Sequence, residues 1–264
     1  VLTWLERWLQ TEWPELDVYL TSITDHFSTI AVAGPNSRKV LQKAGCSIDL
    51  EPENFPFMTV KPANLGGFSV QLYRVSFSGE LAFEVNIDSR HAAAMWRALV
   101  DAGKEFDITP YGTETMHVLR AEKGFVIVGQ DTDGSVTPVD LGMNWMLSKD
   151  KDYLGKRSLA RADCVRADRK QFVGLLSGDG TTVVPEGTQL VNDPDAPRPV
   201  PMCGHVTSSY FSAFLEHPIA LALLESGKSR TDETVFASLA DGSFVPMQVV
   251  SPTFYDPKGE RQRA

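Results

Sequence analysis

The last third of the chain most constrains what it can fold into. Gln171 to Ser177, Gln189 to Val191, Gly204 to Ser209, Ile219 to Leu224, Thr234 to Leu239 and Phe244 to Val250 are six short runs rich in apolar and β-branched residues. Turns containing Asp179-Gly180, Glu186-Gly187, Asp193-Pro194 and Asp241-Gly242 separate them. Glycine, proline and aspartate favour tight turns, so each run reads as a strand. Short strands in close succession bury their apolar faces against one another, which predicts a small β-barrel or sandwich.

The preceding residues mix periods. Phe83, Val85 and Ile87 alternate with Glu84 and Asn86, so a strand here places the apolar side chains on one face and the carboxylate and amide on the other. The run Val70 to Phe77 ends in the turn-like Ser78-Gly79-Glu80 and is expected to pair with that strand as a hairpin. Upstream, Val18 to Ala33 reads as two short strands broken by Thr24-Asp25-His26, and Leu50 to Gly67 as a loop-rich connection. Helices are expected from Leu2, from Gly34-Pro35 through Leu41, from His91 to Val100 behind Asp88-Ser89, and from Thr113 to Lys123, closed by Gly124. Phe125 to Val128 behind the last helix is β-like. The sum is an α+β protein: a mixed α/β domain over 1–160 and a C-terminal β-barrel domain over 171–264, with the boundary in the polar run Arg161 to Lys170.

Composition excludes several functions. A net charge of −9 over 264 residues argues against nucleic acid as a partner, since phosphate binding needs a basic surface. Apolar runs such as Pro218 to Leu224 are far short of the ~20 residues of a membrane span. Cys46, Cys164 and Cys203 are odd in number and widely spaced, so neither a disulfide framework nor a CxxC site is expected, and a reducing, cytoplasmic setting fits best. His117 has no His or Cys at metal-ligand spacing. Gly129 to Ser135 begins like an EF-hand loop but has no glutamate at the twelfth position. There is no GxGxxG and no signal-peptide pattern. Val1 to Gln10 reads as an amphipathic helix without initiator methionine or capping residue, as the start of a fragment would.

Ser78-Gly79-Glu80-Leu81-Ala82-Phe83-Glu84 resembles the YTGE-x-G-x-E segment of the glycine-cleavage T-protein (aminomethyltransferase) superfamily. Leu119-Arg120-Ala121-Glu122-Lys123-Gly124, Thr137-Pro138, Asp152-Tyr153-Leu154-Gly155-Lys156 and Gly204-His205-Val206-Thr207-Ser208 follow in that superfamily's order. Within it, Gly112 to Gly124 is most similar to the folate-binding region of heterotetrameric sarcosine oxidase α subunits. The resemblance implies a tetrahydrofolate site in the first domain, capped by the barrel, where the one-carbon unit of oxidised sarcosine becomes 5,10-methylenetetrahydrofolate. Other sarcosine oxidase subunits would be partners, and FAD or FMN and NAD would belong to the remainder of such an enzyme. Aminomethyltransferase, dimethylglycine-dehydrogenase-like and non-catalytic folate-binding or assembly modules are the alternatives.

The implied folate ligands are Glu84, Tyr255 and Glu80. A pterin edge offers paired N–H donors that one carboxylate accepts side by side, as from a guanidinium. Glu80 ranks behind Glu84 because it sits in the turn, and Tyr255 matches a C-terminal tyrosine that reaches folate. Met116 stands where the family often has an arginine for the folate tail. No catalytic residue is expected in the chain, because the family's acidic residue for the one-carbon step falls upstream of Val1.

Overall fold

The computed structural model describes residues 1–264. The chain forms two compact units: Val1–Ser76 with Glu80–Pro110 and Arg261–Ala264, and Tyr111–Glu260 with Phe77–Gly79. No helix is long and apolar enough to cross a membrane.

The first unit is built on a four-stranded antiparallel sheet. β1 (Phe27–Ala33), β2 (Val60–Leu65), β3 (Phe68–Tyr73) and β4 (Ala82–Asp88) lie in the order β1-β4-β3-β2. The alternation of β4 is realised as expected: Phe83, Val85 and Ile87 are buried, while Glu84 and Asn86 are half-buried on the other face. Besides α1 (Leu2–Thr11), the unit contains α2 (Ser37–Lys43) and α3 (Ala92–Gly103). Val40 and Leu41 of α2 and Met95 and Leu99 of α3 join the buried β4 residues in one core. On the polar face, Thr29, Asn86 and Gln71 form one rung across three strands, and Asn86 Nδ2 donates to Thr29 Oγ1 at 3.3 Å.

Two expectations for this unit need correction. Only Phe27–Ala33 of the Val18–Ala33 stretch is a strand, and Thr24–His26 is a 3-10 turn. β1 pairs with β4 only from Phe27 onward, so Val18 to Ile23 has no neighbour to hydrogen-bond, and propensity alone does not make a strand. Conversely, the supposed loop Leu50–Gly67 contains β2. Its Pro62 is tolerated because β2 ends the sheet, with β3 on one side only.

The second unit starts with α4 (Thr113–Lys123) and closes a six-stranded barrel. Its strands are β5 (Lys170–Ser177), β6 (Gln189–Val191), β7 (Met202–Ser212), β8 (His217–Glu225), β9 (Thr234–Ser238) and β10 (Phe244–Val250). They run in the order β10-β5-β8-β7-β6-β9, so each of the six runs became a strand and the barrel form is the one adopted. Leu175, Val206, Ala222, Leu224, Val235 and Val249 fill the interior.

Phe125–Val128 does not become a strand beyond a single bridge from Val128 to Thr132. Its backbone is taken by local bonds instead. Phe125 N–H closes the helix end on Arg120 O at 2.9 Å, and Ile127 N–H donates to the Asp131 carboxylate at 2.8 Å.

Candidate ligand-binding site

Glu84 lies mid-strand in β4, between Ala31 of β1 and Tyr73 of β3. Strands on both sides fix its backbone, so its carboxylate has a defined position on the sheet. That carboxylate is half-buried and makes neither a hydrogen bond nor an ion pair, and desolvation pushes its pKa up. The folded chain therefore holds the Glu84 proton more tightly than the unfolded chain does. Stability falls as pH rises from the unfolded carboxyl value, about 4.3, through the raised folded value, and the penalty is complete above it. Glu84→Gln is expected to be more stable than wild type at pH 7, by less than about 1 kcal/mol. The two should converge as the pH drops below the carboxyl range. Thermal melts from about pH 3 to 8 check this, and a difference independent of pH would assign it to something other than the charge.

Glu80 precedes β4 and is engaged structurally: Arg261 Nη1 lies 3.3 Å from its carboxylate. Arg74, just after β3, is fully buried. It donates to Ala82 O at 3.0 Å and Ala264 O at 2.7 Å, and its guanidinium lies 5.0 Å from the centre of the Phe83 ring. Burial, reinforced by the nearby charge of Arg38, pushes its pKa down to about 10.

Tyr255 belongs to the second unit, in the segment after β10, and its ring packs edge-on against Phe214 at 4.8 Å. Glu80 and Glu84 thus share one hairpin of the first unit, and Tyr255 is held on the barrel unit. Met116 is a half-buried residue of α4.

The residues that hold Tyr255 come from Leu119 to Gly124, a motif whose individual roles cannot be read from the sequence. Glu122 is buried and accepts a 2.6 Å bond from Ser212 Oγ, while its backbone oxygen accepts from the N–H groups of Phe254 (2.8 Å) and Tyr255 (2.9 Å). Lys123, also buried, donates to Asp256 O at 2.6 Å and pairs with its carboxylate at 3.0 Å. Arg120 forms a fully buried ion pair with Asp131. The available signal was a charged triad ending a helix at a glycine. Charges so placed are either solvated or buried with partners, and sequence does not say which.

The sequence matches the glycine cleavage T-protein at both ends of this arrangement: residues 1–151 match the GCVT N-terminal domain, and residues 170–256 match the glycine cleavage T-protein C-terminal barrel domain. The chain belongs to the glycine cleavage T-protein family. Among proteins similar to this T-protein-family chain is the sarcosine oxidase subunit alpha of Corynebacterium sp. (strain U-96), 51% identical over 99% of the chain. That of Rhizobium meliloti (strain 1021) is 38% identical over 99% of the chain. The chain spans 27% of the length of each. An aminomethyltransferase of Thermotoga neapolitana is 29% identical over 94% of the chain and 65% of its own length. Among solved structures, aminomethyltransferase T of the glycine cleavage system from Bartonella henselae superposes with a TM-score of 0.69 at 21% identity. The superposition covers 88% of this chain and 60% of that one, and it establishes the shared fold.

Proposed function

We propose that this chain is the tetrahydrofolate-binding region of a sarcosine oxidase α subunit. There the folate takes up the one-carbon unit of oxidised sarcosine and leaves as 5,10-methylenetetrahydrofolate. The observation that carries the reading is the Glu84 carboxylate, half-buried on a strand and without a partner in the protein. A desolvated acceptor of this kind costs stability unless something supplies its hydrogen bonds. The paired N–H donors of a pterin edge would supply them side by side.

Folate supplies the nitrogens that accept the one-carbon unit, and the protein's part is to bind and orient it. Glu84 fixes the ring orientation, and Tyr255 adds a ring with a polar tip. Glu80, already facing Arg261, contributes less. The similarity of 99% of this chain to parts of two sarcosine oxidase α subunits supports the choice of amine. In this reading the other subunits and the flavin and nicotinamide sites belong to the rest of a cytoplasmic enzyme. Along the sequence, this reading divides the chain into a folate-binding region over 1–160 and a barrel region over 171–264.

Titration calorimetry with 5-formyltetrahydrofolate tests the assignment. Glu84→Gln is expected to weaken binding about 10- to 100-fold, the range for losing hydrogen bonds to a charged group. Equal binding by wild type and Glu84→Gln would overturn it.

A further inference from the structure

Arg74 is buried in the first unit, and its guanidinium lies 5.0 Å from the centre of the Phe83 ring and 5.7 Å from that of Phe57. It therefore sits on the side of β4 that carries Phe83, opposite Glu84. Nη1 donates to Ala82 O and Nη2 to Ala264 O, but Nε, also buried, has no acceptor. A buried N–H without an acceptor is uncommon and destabilising, the more so on a charged group.

Arg38 of α2 brings a second cation to the same place. Its Nη2 donates to Ala264 O and its Nε to Leu50 O, each at 2.9 Å. The Glu51 carboxylate lies 3.8 Å from that Nε and is half exposed, so water screens the pair. Two guanidiniums thus converge on one oxygen, presented by residues 261–264 of the same unit. In a guanidinium, Nε–H and one Nη2–H run parallel along one edge, and a carboxylate fills that edge with its two oxygens. At Arg74 a carbonyl fills half of the edge, and the buried Nε–H is the other half.

We infer that Arg38 and Arg74 form a carboxylate-binding site, in which Ala264 O takes one of the two oxygen positions. A carboxylate there accepts from Nη2 and Nε of Arg74 side by side and from Nη2 of Arg38, and its charge offsets that of the two cations. The ligand is a small carboxylate, carried on a peptide of the tail's own sequence or arriving as a free acid. Glu84 and folate play no part in this site.

The test titrates the chain shortened to residues 1–260 with Ac-Arg-Gln-Arg-Ala, the sequence of residues 261–264, ending as an acid or as an amide. Calorimetry is expected to show the acid binding about 10-fold or more tightly than the amide, the effect of hydrogen bonds to a charged group. Arg38→Gln, at a side chain 16% exposed, should shrink that ratio. Displacement of the acid peptide by acetate assigns the site to free acids as well, and binding that acetate leaves unchanged assigns it to peptide-borne carboxylates. Binding of neither peptide, equal affinity for acid and amide, or a ratio unaffected by Arg38→Gln would overturn the site. If the shortened chain does not melt cooperatively, the intact chain decides, prepared by ligation with Ala264 as acid or amide. The acid form should have the smaller unfolding constant, again by about 10-fold, and equal constants for the two forms overturn the site.

Discussion

Arg120→Ala is expected to destabilise the second unit by about 3–5 kcal/mol, the cost of breaking a buried ion pair by removing one partner. Arg120 and Asp131 are both fully buried. The guanidinium also donates to Ser208 Oγ at 2.6 Å and Phe125 O at 3.1 Å. Without it, Asp131 keeps the hydroxyls of Thr207 and Ser208, each at 2.6 Å, and the N–H of Ile127, but no opposite charge. A carboxylate with three donors and no cation in the interior remains costly. The pair joins α4, the turn after it and β7, so one substitution loosens three elements. Urea denaturation at pH 7 reads the loss. The double variant Arg120→Met with Asp131→Leu should recover much of it, because replacing a buried ion pair by apolar groups is often near neutral. A loss below about 1 kcal/mol in Arg120→Ala, the value of a surface pair, would mean that the charges are solvated.

This network marks the limit of what sequence shows. The barrel was legible because its signals are local: period-two apolar runs and the turn residues between them. The face occupied by Glu84 was legible for the same reason, since alternation with Phe83 and Val85 needs no knowledge of the partner strands. What local pattern misses is whether a partner exists. Val18 to Ile23 has strand composition and nothing to pair with. Val60–Leu65 carries a proline that reads as a loop until its edge position is known. Phe125–Val128 is claimed by Asp131 before any strand can be. The partners of Arg120 and Lys123 lie as far as 88 and 133 residues along the chain, and the site of Arg38 and Arg74 takes shape only once both meet Ala264.

Gly124→Ala is expected to cost about 3 kcal/mol or more, combining left-handed backbone strain with a steric clash. Gly124 has φ +74°, and its N–H bonds to Ala121 O at 3.0 Å as α4 ends. A β-carbon there would be driven into the backbone carbonyl of Pro252. The Pro252 segment has little room to yield. Gly174 of β5 lies against its other contacts at Ser251, Pro252 and Phe254, while Phe254 and Tyr255 are tied to Glu122 and Asp256 to Lys123. The clash is therefore transmitted to Tyr255, and under the folate reading proposed above a variant that still folds should bind 5-formyltetrahydrofolate less tightly as well. Gly134→Ala is the control: nothing lies within 4 Å of a β-carbon at that position, so its effect should stay within about 0.5 kcal/mol. Equal stabilities of the two variants in urea would show that the segment after β10 can move away from α4, and that Tyr255 is not positioned by this turn.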